Sequence, residues 1–267
     1  MLLKVNKTHY SYIITSGWWS IEEEKDDRLI KCGDAHIRSS SFHQLWTKAI
    51  DKYTLAKKVY IIDSNAPIKP KIDSQNEVLF SLLENAGHST NHSGKLCGVS
   101  RAHLLGMSLA LVNEVEYWVY IEQDALIYGD GIIEECIKKM KKPYMFGNGW
   151  GTPQPTQQSF MIIKSDAIAS FIQKFSAIKA TDNEISPETK FAIATSRFLG
   201  LLPEFLFKNI HTKSIKNRIL WRLFTVFQGF DSIPFGYGRV RPIDFSDEYF
   251  YFQHGSKTEL DKYILIS

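Results

Sequence analysis

Glu122 and Asp124 stand one residue apart, where the apolar run Tyr117-Trp-Val-Tyr-Ile121 gives way to Glu122-Gln123-Asp124. A strand covered on both faces reads as such an uninterrupted run, and it delivers whatever follows to its carboxyl end. Two carboxylates at that spacing suit a hard divalent cation and the ribose of a nucleotide. A cation held there would neutralise the charge that develops on a nucleoside diphosphate as the bond to its sugar breaks. Two unit charges about 4 Å apart interact by about 4 kcal/mol at an effective dielectric of about 20, enough to matter to such a barrier. The same pair also reads as polar punctuation after a strand, so its chemistry depends on what else reaches it.

Other segments carry chemistry-bearing residues. Gly94-Lys-Leu-Cys-Gly-Val-Ser-Arg101 is a basic loop that opens a helix. Backbone N–H groups at a helix start attract anions, and Lys95 or Arg101 would add a cation. It is not a phosphate-binding P-loop, because Leu96 follows the Gly-Lys pair and the earlier glycine is missing. Trp150, between Gly149 and Gly151, has few local partners to bury it and reads as a platform for a sugar, while Trp18-Trp19 could pack over a ligand. His88 and His92, with Cys97 beyond, lie in a Gly/Ser/Asn loop unlike a zinc site, and no metal is assigned to them.

These residues need a frame. Tyr10 to Ser16 reads as a buried strand ended by Gly17, and Lys58 to Asp63 as a second strand stopped by the turn cluster Ser-Asn-Ala-Pro67. Between them Ser39 to Ile50 has serine caps and apolar residues at helical spacing. Helices are predicted over 77–86, ended by Gly87, and over 99–112; the strand 117–121 follows, then a helix from about Gly131 to Lys142. Phe146 to Pro155 reads as a Gly/Pro loop, 159–164 as a short strand, 165 to about 176 as a helix, and Asp247 to His254 as a last strand closing on a histidine. Strands alternating with helices predict an α/β fold with a mostly parallel twisted sheet flanked by helices, Rossmann-like, whose ligands bind beyond the strands' carboxyl ends. The loops after Ser16, Asp63 and Ile121 are therefore expected to meet.

With 267 residues, 44% hydrophobic and 23% charged, the chain has the composition of an ordinary globular protein, which excludes disordered, collagen-like and coiled-coil classes. No repeat or linker divides it, so one domain over 1–267 is expected, with halves at 1–145 and 146–267. A net charge of +3 is too small to indicate nucleic acid. Cys32, Cys97 and Cys136 lack CxxC spacing, and Met1 to His9 lacks an apolar signal core, which together point to a reducing, cytoplasmic setting. Between Glu188 and Phe230 the chain is aromatic and basic, with Arg197, Lys208, Lys213, Lys216, Arg218 and Arg222 opposed by Glu204. The stretch 205–227 reads either as an amphipathic helix pair closing the domain or as a peripheral contact with an anionic membrane, where Phe, Leu and Trp221 would be buried.

The Ser/Thr-Gly strand end, the strand ending in Asp, the basic helix-leading loop and the strand running into ExD together resemble the nucleotide-sugar glycosyltransferases of the GT-A fold, over roughly residues 10–170 with a weaker echo at His254. The resemblance implies that Thr15, Ser16, Gly17 and Asp63 hold the nucleoside, that Arg101 faces the diphosphate, and that Asp124, Glu122 and His254 bind Mn²⁺ or Mg²⁺. The family's acidic signature is often DxD, so Glu122 departs from it and a metal-independent variant stays open. It also implies a carboxylate that takes the proton of the acceptor hydroxyl. Asp182-Asn-Glu-Ile-Ser-Pro-Glu188 lies where such enzymes place it, with Glu188 first and Glu184 and Asp182 in contention; behind Pro187, Glu188 equally suits a helix's first turn. The implied partners are a nucleoside-diphosphate sugar and a glycan or lipid-linked glycan acceptor. A sugar nucleotidyltransferase, which would need a Gly-rich basic loop after the first strand, and a non-catalytic carbohydrate- or membrane-binding module are the alternatives.

Overall fold

The computed structural model describes residues 10–25, 33–92, 94–150, 152–210 and 214–267. Met1 to His9, Cys32, Ser93, Gly151 and Lys213, on which sequence expectations were placed, lie outside the described residues. In chain order the elements are β1 (Tyr12–Trp18), α1 (Ser40–Tyr53), β2 (Val59–Asp63), β3 (Glu77–Ser81), β4 (Gly87–His88), β5 (Asn91–His92), α2 (Gly98–Val112) and β6 (Tyr117–Ile121). Then come β7 (Ala125–Tyr128), α3 (Ile132–Lys139), β8 (Tyr144–Asn148), β9 (Thr156–Lys164), α4 (Ser165–Ala177), α5 (Pro187–Thr195), α6 (Ile215–Val226), β10 (Asp231–Ser232), β11 (Phe250–Gln253) and α7 (Lys257–Ile266).

The main sheet has seven strands in the order β10-β8-β9-β6-β1-β2-β3. The β3, β2, β1 and β6 strands run parallel, and β9 is antiparallel to both β6 and β8. The carboxyl ends of β1, β2, β6 and β8 therefore share one edge of the sheet with the amino end of β9. Strands from either side of residue 145 share this one sheet, an α/β arrangement compatible with a Rossmann-like fold.

Strand side chains alternate between two faces, and both faces here are apolar. Tyr12, Ile14, Val119, Ile121, Phe160 and Ile162 pack with α1 and α3 in one core. Ile13, Trp118, Tyr120, Met161 and Ile163 pack with α2, α4 and α5 in the other. This is why the run 117–121 carries no polar residue: neither face meets water. The helices start where hydroxyl caps occur, with Ser39 accepting from Phe42 N at 3.1 Å and Ser186 from Thr189 N at 3.3 Å.

Several expectations are corrected. Residues 77–81 form the edge strand β3 rather than a helix, because pairing with β2 satisfies their backbone and leaves Leu83, a would-be core residue of that helix, fully in solvent. The β1 strand runs through Gly17 to Trp18, with Gly17 opposite Ile62, since a glycine in extended backbone need not end a ladder. The expected 146–155 loop is shorter: β8 continues to Asn148 and β9 begins at Thr156. In the expected helix pair, Glu204–Phe207 is a short 3-10 turn before α6. Two-stranded pairing of β7 with β11 brings Gln253 opposite Ala125, so the chain's end returns to the tip of β6.

Helix α2 lies directly on β1. A Cβ on Gly106 would stand 2.6 Å from Thr15 Oγ1 and 2.8 Å from Trp118 Nε1, two buried atoms that hydrogen-bond each other at 2.9 Å. Gly106→Ala is expected to destabilise the fold. Alanine improves helix propensity by about 1 kcal/mol, but overpacking rigid buried groups costs about 1–3 kcal/mol. Urea denaturation checks the sign: a stabilised variant would contradict the close contact.

Candidate functional site

A cavity of about 600 Å³ opens at the sheet edge where those strand ends gather. Gly17 and Trp18 at the end of β1 and Trp19 after it line the cavity, with Ser64 after β2, Glu122 to Asp124 after β6, and Thr156 to Gln158 from β9. The first residues of α2, the tip of the β4–β5 hairpin, Glu188, Arg38 and Arg239 complete the wall. Gly17 is needed by its surroundings: its N–H donates to the Tyr120 hydroxyl at 3.2 Å, and a Cβ would sit 3.0 Å from that oxygen and 3.3 Å from Ala102 Cβ.

The acidic tripeptide is held from three sides. Gln253 Nε2 lies between the carboxylates, donating to Glu122 Oε2 at 2.6 Å and to Asp124 Oδ1 at 2.9 Å. The other oxygen of Asp124 faces His254 Nε2 at 3.3 Å. Gln253 is oriented in turn by Arg239 Nε, which donates to its Oε1 at 3.1 Å, and by Arg241 Nη2, which donates to its backbone carbonyl at 2.8 Å. Gln123, a mere spacer in the sequence pattern, exchanges two hydrogen bonds with the backbone of Trp19, at 2.6 and 2.9 Å, and so locks the loop after β6 to the loop after β1.

This environment drives the two carboxyls apart. Burial raises Glu122, and the neighbouring Asp124 and Glu188 raise it further against the pull of Arg239 and Arg38, to about 8. Burial also pushes Asp124 up, but His254, the Gln253 hydrogen bond and Arg38 outweigh it and hold the group down at about 2. The two carboxyls are therefore shifted in opposite directions, Glu122 up and Asp124 down.

Glu188 stands in the first turn of α5, behind the Ser186 cap and Pro187. Burial raises its pKa, while its own backbone N–H, the charge of Arg239 and the nearby polar side chains of Gln158 and Ser186 oppose the shift. Asp182 is a structural anchor rather than a base. Its Oδ1 pairs with Lys190 Nζ at 2.7 Å, both side chains almost wholly buried, and its Oδ2 accepts from Cys97 N at 2.8 Å, just ahead of α2. One carboxylate thus ties the start of α2 to α5. Glu184 is half-exposed and pairs with Lys208 at 2.6 Å, a hydrogen bond that with those from Thr181 holds it at about 2, outside the cavity.

The remaining expected residues are also placed away from the lining. Thr15 and Ser16 are buried behind the wall, Thr15 accepting from Trp118 Nε1. Asp63 orders the turn after β2 by accepting from Ala66 N at 2.8 Å, Ser81 Oγ at 2.8 Å and Lys69 Nζ at 2.5 Å. Arg101 donates to Leu96 O at 3.2 Å and faces Glu84 at 3.6 Å. Trp150 is 74% exposed, its ring outside the lining. Trp19, Glu122, Asp124, Gly17 and Glu188 converge, whereas Arg239, Arg38, Gln253 and Gln158 had no motif to announce them.

The donor chemistry at the strand tip fits a divalent cation: two carboxylates already turn toward one positively polarised group, the Gln253 amide, with an imidazole beside Asp124. A cation held by both carboxylates would take the place of that amide donor.

A comparison with models of protein families finds no match for this chain, and a search of the curated proteins finds none.

Removing one partner of a buried ion pair leaves an uncompensated charge, at a cost of about 3–5 kcal/mol. Lys190→Ala is expected to lower the free energy of unfolding by about that amount in urea titration, and a loss below about 1 kcal/mol would show that Asp182 does not need it.

Proposed function

We propose that this chain is a glycosyltransferase that moves a sugar from a nucleoside diphosphate to a hydroxyl of a glycan or lipid-linked glycan. What carries the proposal is the convergence, in one cavity of about 600 Å³ at the strand tips, of the Glu122–Asp124 pair, the start of α2, two arginines and Glu188. Open α/β sheets bind ligands at this edge, and a GT-A fold is the form of the sheet that the proposal takes.

The diphosphate lies where the backbone N–H groups at the start of α2 and the guanidiniums of Arg239 and Arg38 meet anionic oxygens. Asp124, with Glu122 and His254, would hold Mn²⁺ or Mg²⁺, which when bound neutralises charge on the leaving phosphate. Glu188 is the base. Its raised pKa brings it closer to working pH, where proton transfer is most effective. The acceptor oxygen forms a bond to the anomeric carbon as the bond to phosphate breaks, the proton passes to Glu188, and the nucleoside diphosphate leaves.

An anionic lipid surface is proposed as the setting. Ile215, Ile219 and Val226 recur along one side of α6, each more than half exposed, with Phe205 exposed in the turn before it. Exposed Lys216, Arg218 and Arg222 flank that stripe. Trp221 is half-buried and packs partly against the core, near Phe224. Among the described residues no helix is long and apolar enough to cross a membrane.

Calorimetric titration with UDP, GDP and dTDP, with and without Mn²⁺, tests the first proposal. One nucleotide is expected to bind, more tightly with metal, and Asp124→Ala to lose the metal-dependent part. Absence of binding to any nucleotide would favour a non-catalytic module. Glu188→Gln is expected to keep donor affinity while donor turnover, by transfer or hydrolysis, falls by about 10²–10⁴-fold; unchanged turnover would remove Glu188 from the mechanism. Cosedimentation with phosphatidylglycerol vesicles is expected at low salt, to weaken with salt, and to be lost in Ile219→Glu/Val226→Glu. No binding at low salt would sink the membrane contact and leave the enzymatic proposal intact.

A further inference from the structure

The Gln253 amide is engaged at both ends. Its Nε2 donates to Glu122 Oε2 at 2.6 Å and to Asp124 Oδ1 at 2.9 Å, while its Oε1 accepts from Arg239 Nε at 3.1 Å. These three contacts fix its orientation: turned over, the amide would set its oxygen against two carboxylates and its N–H groups against a guanidinium. Gln253 is 1% exposed, so its amide has no water to turn to, and its backbone is held by β7 and by Arg241. The amide thus occupies the two oxygens that a cation bridging the pair would bind, and a cation must compete with it for both.

Arg239 is exposed and lies on the cavity wall. Its Nε serves Gln253, and among the described residues its two Nη groups make no hydrogen bond or ion pair. One guanidinium therefore holds the amide and keeps two further donors for an anion that enters the cavity. Phosphate oxygens are gripped best by the planar fork of an arginine, and a diphosphate in the cavity draws that fork toward itself. Such a movement strains the Nε contact, the longest of the three that hold the amide. Hydrogen bonds in a chain polarise one another, so losing the cationic donor at Oε1 weakens the grip of Nε2 on the carboxylates.

We infer that Gln253 is a positioning residue that lowers the affinity of the Glu122–Asp124 pair for a divalent cation, and that a diphosphate lifts this restraint by drawing Arg239 away from it. The inference rests on the glycosyltransferase reading and names how the two ligands of that site are coupled. While the amide satisfies both carboxylates, a cation gains only the difference between itself and that donor. Linkage makes the coupling reciprocal: a cation that displaces the amide releases Arg239 to the diphosphate, and the two affinities rise by the same factor. This coupling passes through the protein and adds to any direct contact between cation and phosphate.

Calorimetric titration of Mn²⁺ into wild type, Gln253→Met and Arg239→Lys tests this, each protein alone and saturated with whichever of UDP, GDP and dTDP binds. Methionine fills the glutamine's space without donating, and lysine keeps the charge without an Nε–H. Without nucleotide, Gln253→Met is expected to bind Mn²⁺ about tenfold more tightly than wild type, and Arg239→Lys more tightly by a smaller factor. Nucleotide is then expected to tighten Mn²⁺ binding in wild type by about tenfold more than in Gln253→Met, which has no restraint left to lift. A residue that only shaped the site would, once removed, leave Mn²⁺ binding weaker or unchanged. Arg239 is exposed, so its variant carries the test if Gln253→Met folds poorly. Mn²⁺ affinity that is unchanged or lower in the nucleotide-free variants, or a nucleotide effect equal in wild type and Gln253→Met, overturns the inference while nucleotide binding upholds the site. Failure of wild type to bind any nucleotide overturns both.

Discussion

Two carboxyl groups one residue apart at the tip of a buried strand repel each other, and much of the site exists to manage that repulsion. Gln253 spans them with one amide nitrogen, His254 faces the outer oxygen of Asp124, and Arg239 holds the Gln253 amide in place. The result is unequal carboxyls, one held as an anion and the other pushed up. Burial alone would raise both, so the difference between them comes from the partners.

That arrangement depends on a long-range return of the chain. The antiparallel pairing of β11 with β7 sets Gln253 opposite Ala125, and Arg241 clamps the segment by reaching Gln253 O and pairing with Glu259 at 2.5 Å. On the opposite wall, Asp182 joins α5 to the start of α2 through Lys190 and Cys97 N. Gln123 joins the loops after β1 and β6. Each tie is made by a buried or half-buried polar group whose partners lie many residues away, and such groups hold one geometry because any other would leave them unsatisfied.

How far the site was legible can be judged residue by residue. Glu122 and Asp124 were visible because an apolar run ended on them, whereas Glu188 was carried over from the GT-A resemblance, its place behind Pro187 suiting a helix's first turn equally well. The nucleoside residues carried over from the GT-A resemblance fared differently: Gly17 reaches the cavity, whereas Thr15 and Asp63 are engaged with Trp118 and with the turn after β2. Arg239, Gln253 and Gln158 lay in no pattern, because an isolated polar residue acquires meaning only from the group it faces. The helix expected over 77–86 failed for a related reason: its apolar residues suited helical spacing, but the open edge of β2 offered a complete ladder of backbone partners, and local preference yields to that.

The sequence by itself pointed to the α/β layering, since short apolar β-branched and aromatic runs bounded by turn residues favour strands covered on both faces and serine-capped amphipathic segments favour helices laid on them. It also determined that acidic residues would emerge from the third such strand read along the chain. Only the tertiary structure decided how the environments of the two carboxyls differ, which helix faces the cavity with its start, and which polar side chains line it. Those outcomes depend on distances between residues far apart in the chain, and electrostatic and hydrogen-bond energies change steeply over a few ångströms that no local pattern encodes.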